Sequence, residues 1–268
     1  MKTIAIINEK GGVGKTSTAL NLAQCLIKMG KKVLFIDLDP QLNGTNTYKA
    51  KTKKTTTLCD LFMDEFNLAL RNIDEEDAED PNEAIQTTEL GQILPGDRLL
   101  VNDAPRYQTD QEGAYLLKRI CDKVKDKFEY CVIDTGPQAG VYQLNAMVAA
   151  DRIVIPIQAD RFSIDGLTTV IQTIDRVKKT QNPNVEISGM LLTFFDARLT
   201  VDKGVRNSLP EIAKAVNVPY FKNLIRTDAT IKTANNNYEN LITDYPKSKG
   251  AEDYMAVTKE LLKKEKWK

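Results

Sequence analysis

The stretch "EKGGVGKTS", residues 9–17, follows directly on the apolar run "TIAII" at 3–7. It fits most of the phosphate-loop template G-x-x-x-x-G-K-[ST]. Gly14, Lys15 and Thr16 fall where the template wants them, but its first glycine is replaced by Glu9, and a second lysine stands at Lys10. A strand that delivers the chain to a glycine-rich turn, with a helix starting near Lys15, converges backbone N–H groups and a helix N-terminus on an anion. Gly11, Gly12 and Gly14 let the backbone approach phosphate oxygens, with Val13 between them and Ser17 just inside the helix. Lys15 is then the ligand of the β- and γ-phosphates, and the Thr16 hydroxyl the ligand of Mg2+. Such a loop has no evident use for Lys10.

The surrounding sequence predicts the fold that this loop needs. Continuous apolar runs recur at 3–7, "VLFID" 33–37, "YCVID" 130–134, "RIVIPI" 152–157 and "SGMLLTFF" 188–195. Runs that do not alternate in polarity read as strands buried on both faces. Between the first two, Ala19, Leu22, Ala23, Leu26 and Ile27 share one helical face and Gly30 marks the stop. Further helices are expected near 114–127, 142–150, 166–179, 205–216 and 251–264. The alternation predicts an α/β fold, a mostly parallel twisted sheet with helices on both faces. Two strands end in acids, "VLFIDLDPQ" in Asp37 and Asp39 and "YCVIDTGPQ" in Asp134. Open α/β sheets bind ligands at that edge. Asp134 is the expected Mg2+ carboxylate, and Asp39 is better placed to orient a water.

Composition removes other chemistries. The 268 residues include no histidine, so no Ser-His-Asp or Cys-His system can be built, and proton transfer falls to carboxylate, lysine, tyrosine or water. Cys25, Cys59, Cys121 and Cys131 show no metal spacing and read as buried apolar residues. The net charge is zero, so any nucleic-acid surface is a local patch. No apolar run approaches the ~20 residues of a membrane span, and no signal peptide is visible, which points to a cytoplasmic protein. The acidic "DEEDAED" at 74–80 is read as a solvated loop or insertion within residues 67–113, and the basic "KAKTKK" at 49–54 as a solvated loop.

The blocks "KGGVGKTS", "DLDPQLNGT", "VIDTGP", "ADRIVIPIQAD", "DGL", "LLTFFDAR" and "YPKSKGAEDY" resemble, in order, the Soj branch of the ParA/MinD ATPases. K-G-G-x-G-K-[ST] is that family's deviant phosphate loop. The resemblance spans almost the whole chain as one ATPase domain, and starts at residue 1 without the helix-turn-helix extension of larger relatives. It implies that Lys10 reaches across a two-fold interface to the phosphates of ATP in the other subunit, so that Mg-ATP drives homodimerisation. It further implies that Asp39 positions the attacking water, that Asp134 is the Walker B carboxylate, and that a basic segment of a ParB-like centromere-binding partner stimulates a weak ATPase. The ATP dimer is expected on the nucleoid, bound to DNA without sequence preference. Arg198 in "FDAR" matches a DNA-contacting position; the I-P-R-N-V-R segment is here "LIRTDATI" (224–231), leaving Arg226, Lys232, Lys247, Lys249 and the lysine-rich end to compensate. "DTGP" has Gly136 where the family has proline. The rival reading is a MinD-like membrane positioner using "MAVTKELLKKEKWK" (255–268) as anchor, but that segment reads better as the last packed helix, so no stable membrane association is expected. An iron–sulfur reductase lacks its cysteines here, and a carboxylate-activating ligase does not account for the partition-type blocks.

Overall fold

The computed structural model describes residues 1–53, 55–159 and 161–264, with the side chains of 161–165 left undescribed. Lys54 of the basic loop, Asp160 and Trp267 lie outside the described residues or side chains. The strands are β1 (Lys2–Ile6), β2 (Val33–Leu38), β3 (Gln86–Thr88), β4 (Gly91–Leu94), β5 (Tyr130–Thr135), β6 (Arg152–Gln158) and β7 (Glu186–Thr193). The helices are α1 (Lys15–Lys28), α2 (Asn43–Thr47), α3 (Leu58–Ala69), α4 (Pro81–Ala84), α5 (Leu100–Gln108), α6 (Leu116–Val124), α7 (Val141–Ala149), α8 (Arg161–Thr180), α9 (Thr200–Ala215), α10 (Ala229–Asn237), α11 (Leu241–Asp244) and α12 (Lys249–Lys264).

All seven strands join one sheet in the order β3-β4-β2-β5-β1-β6-β7. Every pair is parallel except β3–β4. The five apolar runs form its centre and one edge, and their double burial follows from the pleat. Ala5, Leu34, Ile36, Cys131, Ile133, Ile153 and Ile155 face one layer, with Leu61, Phe62, Ile120, Met147 and Ile174. Their neighbours Ile4, Ile6, Phe35, Val132 and Val154 face the other, with Leu22, Leu26, Tyr254, Val257 and Leu261. Successive side chains point to opposite faces, so a strand covered on both sides must be apolar throughout.

The expected helices are present, with α9 starting at Thr200 rather than near 205 and running through Pro210. The acidic stretch is exposed, as expected, and Asp80 closes it by accepting the Asn82 N–H (2.8 Å), which caps α4. Around that stretch the 67–113 region is largely regular. It supplies β3, β4 and α5, and the preceding α3 starts on a capping box in which Thr57 and Asp60 satisfy each other's backbone groups. The four cysteines are free and buried.

The loop after β4 reaches back to the site. Gly96 donates its N–H to Thr45 Oγ1 (3.0 Å), and a Cβ on it would lie 2.5 Å from the Asp37 backbone oxygen. Gly96→Ala is expected to cost about 1–3 kcal/mol by overpacking, a melting temperature about 2–10 °C lower by calorimetry.

Candidate functional site

The phosphate loop is fastened from outside by side chains remote in sequence. Gln158 Nε2 donates to the Gly12 carbonyl (2.7 Å), and the Thr193 hydroxyl lies 2.9 Å from the Val13 carbonyl and 3.0 Å from that of Ile157. A trans peptide points its N–H away from its C=O. With those two carbonyls turned outward, the amides of Val13 and Gly14 face the other way, toward the side where an anion would sit. Gly12 and Gly14 have φ +78° and +86°, which a side chain would strain. The Phe194 ring closes on Gly14 as well, 3.1 Å from where its Cβ would be. Asn8 completes the scaffold: its Oδ1 accepts the Lys10 N–H (2.9 Å) and its Nδ2 donates to the Pro156 carbonyl (2.7 Å).

Lys15 is buried, and its Nζ donates to the Lys10 carbonyl (2.8 Å). Burial depresses its pKa, while Asp134 and Asp39 pull it back up. Two of the three strand-end acids, Asp134 and Asp39, lie in the field of that ammonium. β2 and β5 pair so that Asp37 stands directly opposite Asp134. Asp134 is fully buried, and neither carboxylate oxygen has a hydrogen-bond partner of good geometry. Burial, then the Asp37 charge, pushes its pKa well above the carboxylate range, and the nearby Thr16 hydroxyl opposes this. Asp39, 6% exposed, accepts the Gln41 N–H at Oδ1 (2.9 Å). Gly136 lies against it: a Cβ there would come within 3.2 Å of Asp39 Oδ1, so the missing proline leaves room for this carboxylate.

The sequence places Asp37 at the site but does not reveal its work. It accepts from the Thr45 N–H (2.6 Å), the Thr45 hydroxyl (2.7 Å) and the Asp39 N–H (3.3 Å), tying α2 and the Asp39 turn to the end of β2. Burial pushes its pKa up to about 6. The D-x-D spacing carried the signal, since residues two apart on a strand share a face.

The arrangement fits Mg-ATP. A buried carboxylate without a partner is costly unless a cation completes it. Among the described residues no three Asp, Glu, Cys or His side chains converge as a protein-only metal site. A hard cation held by one carboxylate and one hydroxyl, with phosphate oxygens and water filling its shell, needs no such cluster.

The DNA candidates are placed less uniformly. Arg198 is 86% exposed at its side chain but paired with Asp196 (2.6 Å), which holds that carboxyl down to about 2. Arg226 is locked onto Asp253, Nε at 2.9 and 3.0 Å and Nη2 at 2.7 Å, with Glu252 3.5 Å away. A β-bridge between Phe195 and Arg226 brings the two loops together, but each arginine arrives with its own carboxylate. Lys232, Lys247 and Lys249 are exposed on or beside the short helices and α12, Lys249 in the field of Asp228.

Comparison with known proteins identifies the family. Residues 1–187 match the family model described as an AAA domain. The chain is 32% identical to the sporulation initiation inhibitor protein Soj of Bacillus subtilis, over 97% of this chain and 98% of that protein. The chain belongs to the Soj/ParA family. The chromosome partitioning protein ParA of Caulobacter vibrioides is 31% identical over 99% of this chain and 96% of its own length. Among solved structures, a Cyanothece McdA variant in complex with ATP superposes with TM-score 0.82 at 25% identity, covering 98% of this chain and 96% of that one. Cobyrinic acid a,c-diamide synthase from Mycobacterium smegmatis, with an ATP analogue and magnesium, gives 0.80 at 26% identity over 98% and 95%. Both hold a nucleotide on a Soj/ParA-like frame. Among the described residues no helix is long and apolar enough to cross a membrane.

Removing the Asp134 charge should stabilise the protein in the absence of ligand. A carboxyl whose folded pKa is raised costs stability wherever the unfolded chain would ionise it, so the relief is present at pH 7–8 and fades as pH falls from that raised value toward the ordinary carboxylate range. Asp134→Asn is expected to melt about 2–6 °C higher than wild type without nucleotide at pH 7.5, and to lose the stabilisation that Mg-ATP gives wild type.

Proposed function

We propose that this chain is a DNA partition ATPase in which Mg-ATP closes two copies face to face, the closed dimer binds DNA without sequence preference, and hydrolysis stimulated by a ParB-like partner resets it. The observation that carries this reading is the fully buried Asp134 carboxylate, relieved only by the nearby Thr16 hydroxyl and the Lys15 ammonium, at the mouth of the glycine loop. The similarity to Soj and ParA over nearly the full length supports the partition role, and the McdA–ATP complex supports the nucleotide. The place of action is the cytoplasm, on the nucleoid.

Bound Mg-ATP supplies the anhydride to be cleaved and a cation that offsets charge on its terminal phosphates. The loop amides and Lys15 bind those phosphates, Lys15 exchanging the Lys10 carbonyl for a phosphate oxygen. Thr16 and Asp134 hold the cation. Asp39 orients the attacking water and takes its proton; with no histidine in the chain, a carboxylate is the available base beside the phosphates. The Gln41 N–H holds that carboxylate in place, and Gly136 leaves it room. Lys10, at the rim of the loop, offsets the charge of the other copy's triphosphate, which would otherwise push two anionic faces apart. The MinD-like alternative needs a free apolar face on α12, but Tyr254, Val257 and Leu261 are buried in the core beside α1.

Gel filtration and turnover with ATP and ADP test the scheme. Asp39→Ala should bind ATP and accumulate as dimer while turnover falls ~10²- to 10⁴-fold. Lys10→Ala should bind ATP yet elute as monomer. An Asp39→Ala protein unable to bind ATP, or a Lys10→Ala protein that still dimerises with ATP, would overturn the roles of these two residues.

A further inference from the structure

Both arginines of the expected DNA patch already have a carboxylate partner in the structure, Arg198 in Asp196 and Arg226 in Asp253. We infer that the exposed face of α9, carried by Lys203, Arg206 and Lys214, is the surface that seats on DNA phosphates, an assignment that rests on the proposed partition function.

α9 runs for 16 residues from Thr200 to Ala215. At 3.6 residues per turn, Lys203, Asn207, Pro210 and Lys214 line one exposed stripe, with Arg206 at its border. Only two acids occur in α9. One of them, Asp202, is buried and turned inward, where its Oδ2 accepts the Asp196 N–H (2.7 Å). The other, Glu211, is exposed one turn from both Asn207 and Lys214. The near half presents Lys203, Arg206 and Asn207, all exposed and all able to donate. Those are the side chains that contact phosphate and sugar without reading sequence.

Two features fit a phosphate lattice better than an isolated anion. Lys203 and Lys214 are 11 positions apart, about 16 Å along the helix, and a duplex offers one charge per ~1.7 Å of its axis, so one stripe meets several phosphates at once. The Arg206 guanidinium stands 5.5 Å over the ring of buried Phe195, which limits its freedom before binding. Phe195 follows Thr193, the last residue of β7, and Phe194, which touch the phosphate loop at Val13 and Gly14. The α9 surface is thus anchored close to the nucleotide.

The test measures binding of a random-sequence duplex against salt concentration, with a slowly hydrolysed ATP analogue. In a dimer, two cations removed per subunit delete about four phosphate contacts, so Lys203→Ala/Lys214→Ala should make the log–log salt slope shallower by about 3–4. That variant leaves the Arg206–Phe195 contact intact, and an unchanged melting temperature confirms its fold. Lys203→Ala/Arg206→Ala should show a loss of the same size. A wild-type slope in both variants, with the loss appearing instead in Lys232→Ala/Lys249→Ala, overturns the α9 assignment alone. If the wild-type protein with the analogue binds no DNA, the DNA role in the partition reading falls, and this surface with it.

Discussion

Three carboxylates and one ammonium share the water-poor crest where β1, β2 and β5 end, and that concentration of charge governs the rest of the molecule. The register of β2 on β5 sets Asp37 against Asp134, two acids that repel and are both denied water. A fold tolerates this only with compensation. Thr45 satisfies Asp37 twice, Lys15 offers partial relief, and Asp134 is left with its oxygens unmet. Stability is held back at one point, and a cation arriving with its phosphates can recover it.

A parallel sheet is what makes such a crest possible. Strands that run the same way bring all their carboxyl ends to one edge, so acids at the ends of β2 and β5 meet the glycine turn after β1 without any of them being close in sequence. The helical layers on both faces exclude water from beneath, which gives the charges their leverage. The flanking α1 and α12 complete one layer with apolar side chains.

What the sequence disclosed follows from how local each signal is. The phosphate loop and the five apolar runs are contiguous, and both were legible. β3 and β4 were not: three and four residues long, partly exposed and at the sheet edge, they carry too little pattern to stand out. α3 announces itself by Thr57 and Asp60, a cap signal that the acidic stretch downstream overshadowed. The contacts that hold the phosphate loop in shape span 146 positions for Gln158 and 180 for Thr193, beyond any motif. The pairing of Arg226 with Asp253, 27 positions on, was hidden in the same way. Cation identity can be read from sequence, but a cation's commitment to a neighbour cannot.

Phe194 holds a left-handed backbone, φ +53°, with its ring on Gly14 and its carbonyl accepting the Thr227 hydroxyl (2.7 Å). A bulky residue rarely adopts that conformation, so it persists only where its surroundings hold it. Here the holding groups are Gly14 on one side and Thr227 on the other, which makes the shape of the glycine turn and that of the outer rim depend on the same residue.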